Sequence, residues 1–469
     1  MKKITVTPLA RVHSPTTVEV MVENNKVIRA RCVGDFFRGF EIILRGRDPR
    51  DAPYLTERIC GICSSGHGTA ASMALENAAG VLPPLNGVLL RNLTLGADII
   101  QNHIRHFYLF SMPDYVRLPN IGPLSPGYST DLRFSKKDNE RIVNNYFKAI
   151  EVSRIANEII TIFGGKTPFS HGLLAGGSTV PPTTDIVLNV GFKLKKINEF
   201  IKTKMIPDFH TLSETYSDYY KIGCRKASFL SYGFFPKNRR DTERYFPAGS
   251  VIEGEMAELD VSVIREHVSN AWYTGDSVPG RTRSGKSEPD REKKGAYSWI
   301  KAPRYRGKAL EGGPLARLWI RGDYRKGIST MDRTAARVLE AEKIGKLMEA
   351  WLQQLQPGKD VFKSFKVPDE AAGMGLTDVM RGPLGHWLAI KGGRVANYDI
   401  VTPTTWNFSP RDNDGKPGPV EEALADTSLE NQEEPVELGR VIRAFDICSS
   451  CSAHIMVPGK PVQNFIITP

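Results

Sequence analysis

Residues 3–33 show β-type alternation of apolar and polar positions, with Val18, Val20 and Val22 on one side of Asn24-Asn25 and Val27 to Val33 on the other. A period of two around a turn dipeptide predicts a hairpin or small sheet. From Asp35 to Arg45 the spacing changes: Phe36, Phe37, Phe40, Ile43 and Leu44 recur at helical intervals, predicting a helix that carries Glu41 toward Cys60 and Cys63. Residues 66–79 are rich in Ala, Ser and Gly, which suits a helix approached closely by its neighbours. Long helices are predicted at 87–112, 138–164 and 186–222, the last two separated by the Gly/Pro-rich stretch 164–182. From 224 to about 325 the periodicity weakens, predicting short strands and long loops at the subunit surface. A helix at 333–356 follows the Ser329-Thr330 cap, then strands at 374–380 and 385–401, then helical segments near 418–425 and 434–444. These elements predict an α+β fold: a predominantly helical core, a small N-terminal β-sheet and peripheral short strands.

With 469 residues, 41% of them hydrophobic, the chain can bury a substantial core. No apolar run reaches the roughly 18 residues of a membrane span, and residues 1–8 lack the apolar stretch of a secretory signal, so export is expected to depend on a partner. The net charge of +11 raises the question of nucleic acid. Its densest cluster, residues 281–294, mixes both signs with Gly and Pro, which reads as a solvated loop more than as a phosphate-tracking face.

Cysteine placement carries the chemistry. Four of the six cysteines form two C-x2-C pairs, Cys60/Cys63 and Cys448/Cys451, each followed by a histidine, His67 and His454. Two intervening residues let one turn aim both sulfurs at a single ion, and four thiolates select a soft or borderline metal. A structural zinc site is the commonest outcome of paired C-x2-C. Zinc ribbons, however, keep their pairs about 15–20 residues apart, whereas 388 positions separate Cys60 from Cys448, and a closed tetrahedral site has no need of the extra histidines. A catalytic metal centre, completed only when the whole chain folds, is the favoured reading. The chain is therefore expected to be one co-folded unit over 1–469: a hairpin region at 1–33, a helical core with the first pair at 34–222, a loop and short-strand region at 223–330, a C-terminal region with the second pair at 331–454, and a tail at 455–469. Cys32 and Cys224 are read as packed thiols, and His103 and His106, three apart on one helix face, as buried hydrogen-bonded histidines.

The motif Arg58-x-Cys60-Gly61-x-Cys63-x-x-x-His67 resembles the R-x-C-G-x-C-x-x-x-H signature of nickel–iron hydrogenase large subunits, and Asp446-Ile447-Cys448-x-x-Cys451-x-x-His454 resembles their D-P-C-x-x-C-x-x-H. Further stretches agree: Phe37 to Asp51, Tyr297 to Tyr305, Glu311 to Arg317, Arg381 to Trp387, and Pro403 to Asn407. The resemblance spans essentially the whole chain.

The resemblance implies a catalytic subunit for H2 ⇌ 2H+ + 2e−, with uptake as the expected direction. Nickel would be bound by Cys60, Cys63, Cys448 and Cys451, with Cys63 and Cys451 bridging to an iron that carries CO and cyanide. Heterolytic cleavage needs a Lewis-acidic metal pair and a nearby base; Cys448, terminal and held deprotonated by the metal, would be that base. Arg381 would overhang the iron ligands. Glu41, the backbone carbonyl of Ile400 and His454 would bind a second, non-catalytic cation, magnesium or iron. With two cysteines left, the chain cannot hold an iron–sulfur cluster of its own, so an iron–sulfur small subunit is implied as partner, as are a maturation protease and nickel-insertion chaperones. The expected location is cytoplasmic, or membrane-associated through partner subunits, with export by co-translocation with the small subunit.

Four places depart from the family pattern. His13, in Arg11-Val12-His13, stands where the family has its proton-gating glutamate. Asn102 takes the place of an aspartate above the metals. Val379-Met380 replace Ala-Pro before the arginine, and Ile447 replaces the proline of D-P-C. His13 would relay protons, since imidazole titrates near neutral pH, or else be structural with protons leaving by another route. Loss of a charge at 102 would alter the surroundings of Arg381. A hydrogen-sensing relative with low turnover is the alternative function, and a metal-free quinone-oxidoreductase scaffold a third, against which the four cysteines count. In the family such a tail is cleaved after nickel insertion; here residues 455–469 are an unprocessed tail, a lineage without cleavage, or simply the gene sequence.

Overall fold

The structure, a computed structural model, describes residues 2–448 except 8, 10, 14–15, 121–128, 276 and 279–287. Strands β1 (Lys2–Val6), β2 (Thr17–Glu23) and β3 (Lys26–Val33) form an antiparallel sheet in that order. Asn24 and Asn25 make the turn at φ 50° and 59°, the left-handed pair that a two-residue hairpin requires and asparagine tolerates. Val18, Val20, Val22 and Val27 point inward and share a core with Val420, Leu424, Leu438, Val441 and Ile442. The first sheet thus packs on the C-terminal arm.

The helix expected over Asp35 to Arg45 shrinks to α1 (Phe40–Ile43). Gly39 at φ 68° starts it and Gly46 at φ 78° follows it. Upstream, Phe37 stacks on Trp299 with centroids 5.1 Å apart, so the aromatic spacing serves a cross-chain contact, not a helix face. Helix α2 (Ala52–Glu57), missed in the hydrophobic pattern, leads to α3 (Ser64–Ala79). The helical core is α4 (Leu85–Arg105), extended by a wide turn over His106–Ser111, then α5 (Lys136–Gly164), α6 (Thr184–Phe200) and α7 (Ile206–Thr215). Ser135 and Thr183 cap α5 and α6 by accepting from Asp138 N and Ile186 N.

Between them lie β4 (Leu173–Leu174) and β5 (Gly177–Ser178). The middle region supplies the short strands β6 (Phe229–Ser231), β7 (Phe234–Pro236), β8 (Arg244–Phe246), β9 (Gly249–Ile252), β10 (Glu255–Ala257), β11 (Ile264–His267), β12 (Ser277–Val278) and β13 (Ala302–Tyr305). They are short as expected but not superficial: Phe229, Phe234, Phe235 and Phe246 are buried in the same core as the helices. The weak periodicity reflects strands buried on both faces. This region also holds an unforeseen helix, α8 (Pro314–Arg321), and is followed by α9 (Thr330–Gln354), capped by Ser329. Of the solvated loop, residues 288–294 are described and are largely exposed.

The stretch 385–401 is two strands, not one. Antiparallel β14 (Glu370–Val379), β15 (Gly382–Lys391) and β16 (Arg394–Val401) form a meander, turned between the last two by Gly392 and Gly393 at φ 60° and 65°. Three short helices finish the described chain: α10 (Pro403–Asn407), α11 (Pro419–Leu424) and α12 (Val436–Ala444). Cys32 is buried as expected, whereas Cys224 is exposed, because it sits in an open turn after the helices end.

Close packing of α3 on the meander holds the first cysteine pair in place. A Cβ at Gly375 would lie 1.8 Å from Ala70 O, and one at Gly373 2.3 Å from Ala74 O. Helix backbone faces strand backbone with no side chain between. Gly375→Ala is therefore expected to destabilise the protein by about 3 kcal/mol, the upper end of overpacking costs, because the obstructing atom is a carbonyl that cannot swing aside; thermal unfolding beside the parent checks this.

Candidate metal centre

Cys60 ends the turn after α2, with its N–H donating to Glu57 O at 3.4 Å, and its sulfur accepts from Ile62 N at 3.3 Å. Cys63 is the cap residue of α3, so that helix's positive end lies beside the thiol and favours thiolate. Cys448 is brought in from the other end of the chain. Its N–H donates to Thr404 Oγ1 at 3.1 Å, and His13 N donates to Ile447 O at 3.2 Å, which lays the second cysteine motif beside residue 13.

Cys60 Sγ and Cys448 Sγ stand 3.4 Å apart. A disulfide would need about 2.05 Å. Two thiolates on one tetrahedral ion at about 2.3 Å each sit about 3.8 Å apart, so the pair fits ligands converging on a soft metal. Cys60, Cys63 and Cys448 are all buried. Cys451 and His454 lie outside the described residues. Among the described residues no group of three or more His, Cys, Asp or Glu is placed to hold a metal, so the set would be completed only by those two.

Arg381, in the turn between β14 and β15, is the cation of the site. Its Nε donates to Asp446 Oδ1 at 3.1 Å and one Nη to Asn102 Oδ1 at 2.7 Å. The other, Nη1, is buried without a hydrogen-bond partner among the described residues. Burial lowers its affinity for a proton, but Asp446 and the three thiols Cys448, Cys63 and Cys60 outweigh that and raise it. It is always charged. Asn102 binds both partners, donating to Asp446 Oδ2 at 2.7 Å. The charge next to Arg381 is therefore Asp446, two residues before Cys448; asparagine at 102 clamps the pair without bringing a second carboxylate against Asp446.

His13 is buried, its Nε2 4.0 Å from Asp446 Oδ1, with its ring edge-on to Phe110. Burial first, and Arg381 second, lower its imidazole to about 3. The expectation that it titrates near neutrality is corrected: it is a neutral ring at ordinary pH. His67, the histidine after the first pair, turns instead to His386 at 3.1 Å, which meets Tyr398 OH at 2.9 Å. Burial keeps both rings neutral.

Glu41 and Ile400 do come together. Glu41 Oε1 accepts from Ile400 N at 2.8 Å, and Oε2 faces Lys301 Nζ at 3.5 Å, which also faces Glu266 at 3.5 Å. These groups line a small cavity of about 60 Å³ with Phe40 and Thr405. Lys301 and Glu266 had no signal in the hydrophobic pattern, since a buried Lys–Glu pair is visible only once the strands align.

Asp446 is anchored further. Burial opposes its charge, but Arg381 and Arg337 hold it well below the usual carboxylate range. Arg337 donates to it at 3.0 Å and contacts His103 Nδ1 at 3.3 Å. His103 Nε2 meets Glu340 at 2.8 Å, and Glu340 takes both prongs of Arg317 at 2.6 and 2.7 Å. His106 Nε2 bonds Arg443 O at 2.7 Å. Both histidines are thus the hydrogen-bonded core residues expected of them.

A family model described as nickel-dependent hydrogenase matches residues 38–121, 116–327 and 321–454. The chain is 36% identical to the periplasmic [NiFeSe] hydrogenase large subunit of Desulfomicrobium baculatum over 97% of this chain and 95% of that one. It is 33% identical to the uptake hydrogenase large subunit of Rhizobium leguminosarum bv. viciae, covering 97% and 96%. Among solved structures, the Ni-Fe-Se hydrogenase of D. vulgaris Hildenborough in the reduced state superposes with TM-score 0.94 at 38% identity, over 97% of this chain and all of that one.

Burial alone would raise the Glu340 carboxyl, yet Arg317 and His103 hold it at about 2. A depressed carboxylate stabilises the fold above its unfolded value, about 4.3, and that stability is lost as pH falls toward 2. Glu340→Gln, which strands buried cations, is expected to cost about 3–5 kcal/mol at pH 7. The deficit relative to the parent should shrink on acidification from pH 4 toward 2, as followed by chemical denaturation.

Proposed function

The chain belongs to the nickel-dependent hydrogenase family as a large subunit, an oxidoreductase acting on H2, and from that premise we propose how its own residues carry out hydrogen oxidation. Cys60, Cys63, Cys448 and Cys451 would hold the nickel–iron centre, whose iron would carry CO and cyanide. The observation that carries this is the 3.4 Å approach of two buried thiols from opposite ends of the chain, under a buried cation. Bound there, the metal pair supplies Lewis acidity that polarises H2 toward heterolysis.

The protein does the rest. Cys448 Sγ receives the proton. Arg381, fixed by Asp446 and Asn102, offers Nη1 and its charge to the reacting atoms, and in a dry site such a fixed cation acts at low dielectric. His13, neutral and wedged against Phe110, closes the site beside Cys448 and keeps bulk water out. Glu41, the Ile400 carbonyl and His454 would hold the second cation, magnesium or iron, with Glu266 as the neighbouring carboxylate that offsets its charge. The whole chain acts as one co-folded catalytic unit, supported by the core that the first sheet shares with the C-terminal arm.

Large subunits of this kind pair with a small subunit. Beyond the two motif pairs this chain has only Cys32 and Cys224, too few for a cluster of four thiolates, so electrons leave through iron–sulfur clusters on that partner. A maturation protease and nickel-insertion chaperones complete the site, and location follows the partners. No helix among the described residues is long and apolar enough to cross a membrane. The uptake relatives favour flux over sensing.

Infrared spectra of the purified complex, with nickel and iron quantified, test this: CO and cyanide bands that shift under H2 are expected. Zinc in the thiol site and no such bands, in protein made with its maturation machinery, would refute it. Arg381→Lys keeps the charge but loses the fork. It is expected to lower H2 oxidation about 100-fold with nickel content unchanged, measured with an artificial acceptor.

A further inference from the structure

A run of buried polar groups along the α3–α4 seam is left unused by the chemistry above. Ser65, Thr69, Ser72 and Glu76 succeed one another at helical spacing on α3, one stripe of that helix, and all are buried. At its inner end Ser65 faces the carboxyl of Asp98 on α4. At its outer end Glu76 takes a two-pronged bond from Arg91 of α4, at 2.7 and 3.1 Å. Between these, Thr69 Oγ1, Ser72 Oγ and Asp98 Oδ2 are buried with no hydrogen-bond partner among the described residues. Thr69 and Glu76 also line an open cavity of about 540 Å³, with Asn77, Asn92 and Asp241.

A buried hydroxyl or carboxyl oxygen without a partner is costly, and packing alone would be served better by valine or alanine. Such groups in a row are met by ordered water. The inner end reaches the thiol site electrostatically. The charged groups facing Asp98 are Glu57 from the end of α2, Arg105 from its own helix, Arg381 from the β14–β15 turn, and Cys60. Glu57 lies over Gly68, where a Cβ would come within 2.5 Å of its Oε1. Burial, the largest cause, raises the Asp98 carboxyl to about 7, so both its protonation states are accessible at ordinary pH. His13, by contrast, is fixed neutral.

We propose that the α3–α4 seam is a proton path, in which Asp98 and the hydroxyls of Ser65, Thr69 and Ser72, bridged by water, carry protons between the thiol site and the open cavity at Glu76. This rests on the reading of the thiols as the H2-cleaving centre. Each H2 gives two protons and two electrons; the electrons go to the partner's acceptor, and the protons take the seam. At each hop one O–H bond forms as another breaks: Asp98 Oδ2 accepts a proton from site-side water and releases it to water on the seam, and each hydroxyl accepts one proton while giving up its own.

The test uses the assembled complex with Asp98→Asn and, as a near-isosteric change remote from the metals, Thr69→Val. Both are expected to lower H2 oxidation, and the exchange of D2 with solvent protons, by about tenfold or more, with CO and cyanide bands as in the parent. In the parent, part of the infrared carbonyl intensity of protonated carboxyls should titrate near neutral pH and be lost in Asp98→Asn, leaving that of Glu57 and Glu421 in place. Parental turnover and exchange in both variants, with the bands intact, overturn the path alone, as does a carbonyl titration that loses no intensity in Asp98→Asn. A parent complex lacking CO and cyanide bands overturns the reading of the site, and the path falls with it.

Discussion

Asp446 is the point on which the structure turns. One buried carboxylate accepts from Arg381, Arg337 and Asn102, and so ties the last described segment to the β14–β15 turn, to α9 and to α4. A charge buried alone costs several kcal/mol, and removing one partner of a buried pair leaves the other exposed to that cost. The chain satisfies each charge with a residue from elsewhere. Arg337 is backed by His103, His103 by Glu340, and Glu340 by Arg317, which also reaches Asp378 at 3.1 Å. On the other side Arg443 clamps Asp114 at 2.6 and 2.7 Å, and Asp114 is shared with Arg11. No local segment can close this network. Cys448 therefore reaches Cys60 only when helices from the whole chain are in place, which is how 388 positions of sequence become 3.4 Å.

The same network sets the electrostatics around the three thiols. Three thiols in a dry core would repel one another as thiolates. The Arg381 guanidinium beside them offsets that repulsion, and Asp446 keeps the guanidinium oriented without neutralising every donor, since Nη1 stays uncommitted among the described residues. Asn102 makes sense in this light. It bonds to both members of the Arg381–Asp446 pair, where a carboxylate would meet Asp446 at 2.7 Å and compete for the same cation.

The cysteine motifs were legible because a metal centre needs specific atoms at specific spacings, and no packing alternative imitates two C-x2-C pairs. Helices α5 and α6 were legible because each buries one face over many turns, and α3, α4 and α9 because long runs of helix-compatible residues carry them, although most of their residues are buried. What periodicity missed is what is short or buried on both sides. The Phe36–Leu44 spacing imitates a helix, but Phe37 belongs to Trp299. The meander's second turn hides in an unbroken β-like run until Gly392 and Gly393 take positive φ. Asp98 is a single charged residue in ordinary surroundings, and nothing local tells a buried charge from a solvated one; Asp446 is marked by its motif, but its partners are not. Only the fold decides which carboxylate meets which arginine.

The departure at His13 then bears on how protons move, not on how metals are held. Nothing in the thiol geometry depends on the imidazole: the backbone of residue 13 holds Ile447 through its N–H, a contact any side chain permits. A neutral imidazole 4.0 Å from Asp446, facing Arg381, cannot gain a proton without adding a third cation to a cluster that already contains Arg381 and Arg337. The burden of exchange falls on groups whose two protonation states lie close in energy within this positive field, and a half-compensated carboxyl such as Asp98 satisfies that condition where a histidine does not.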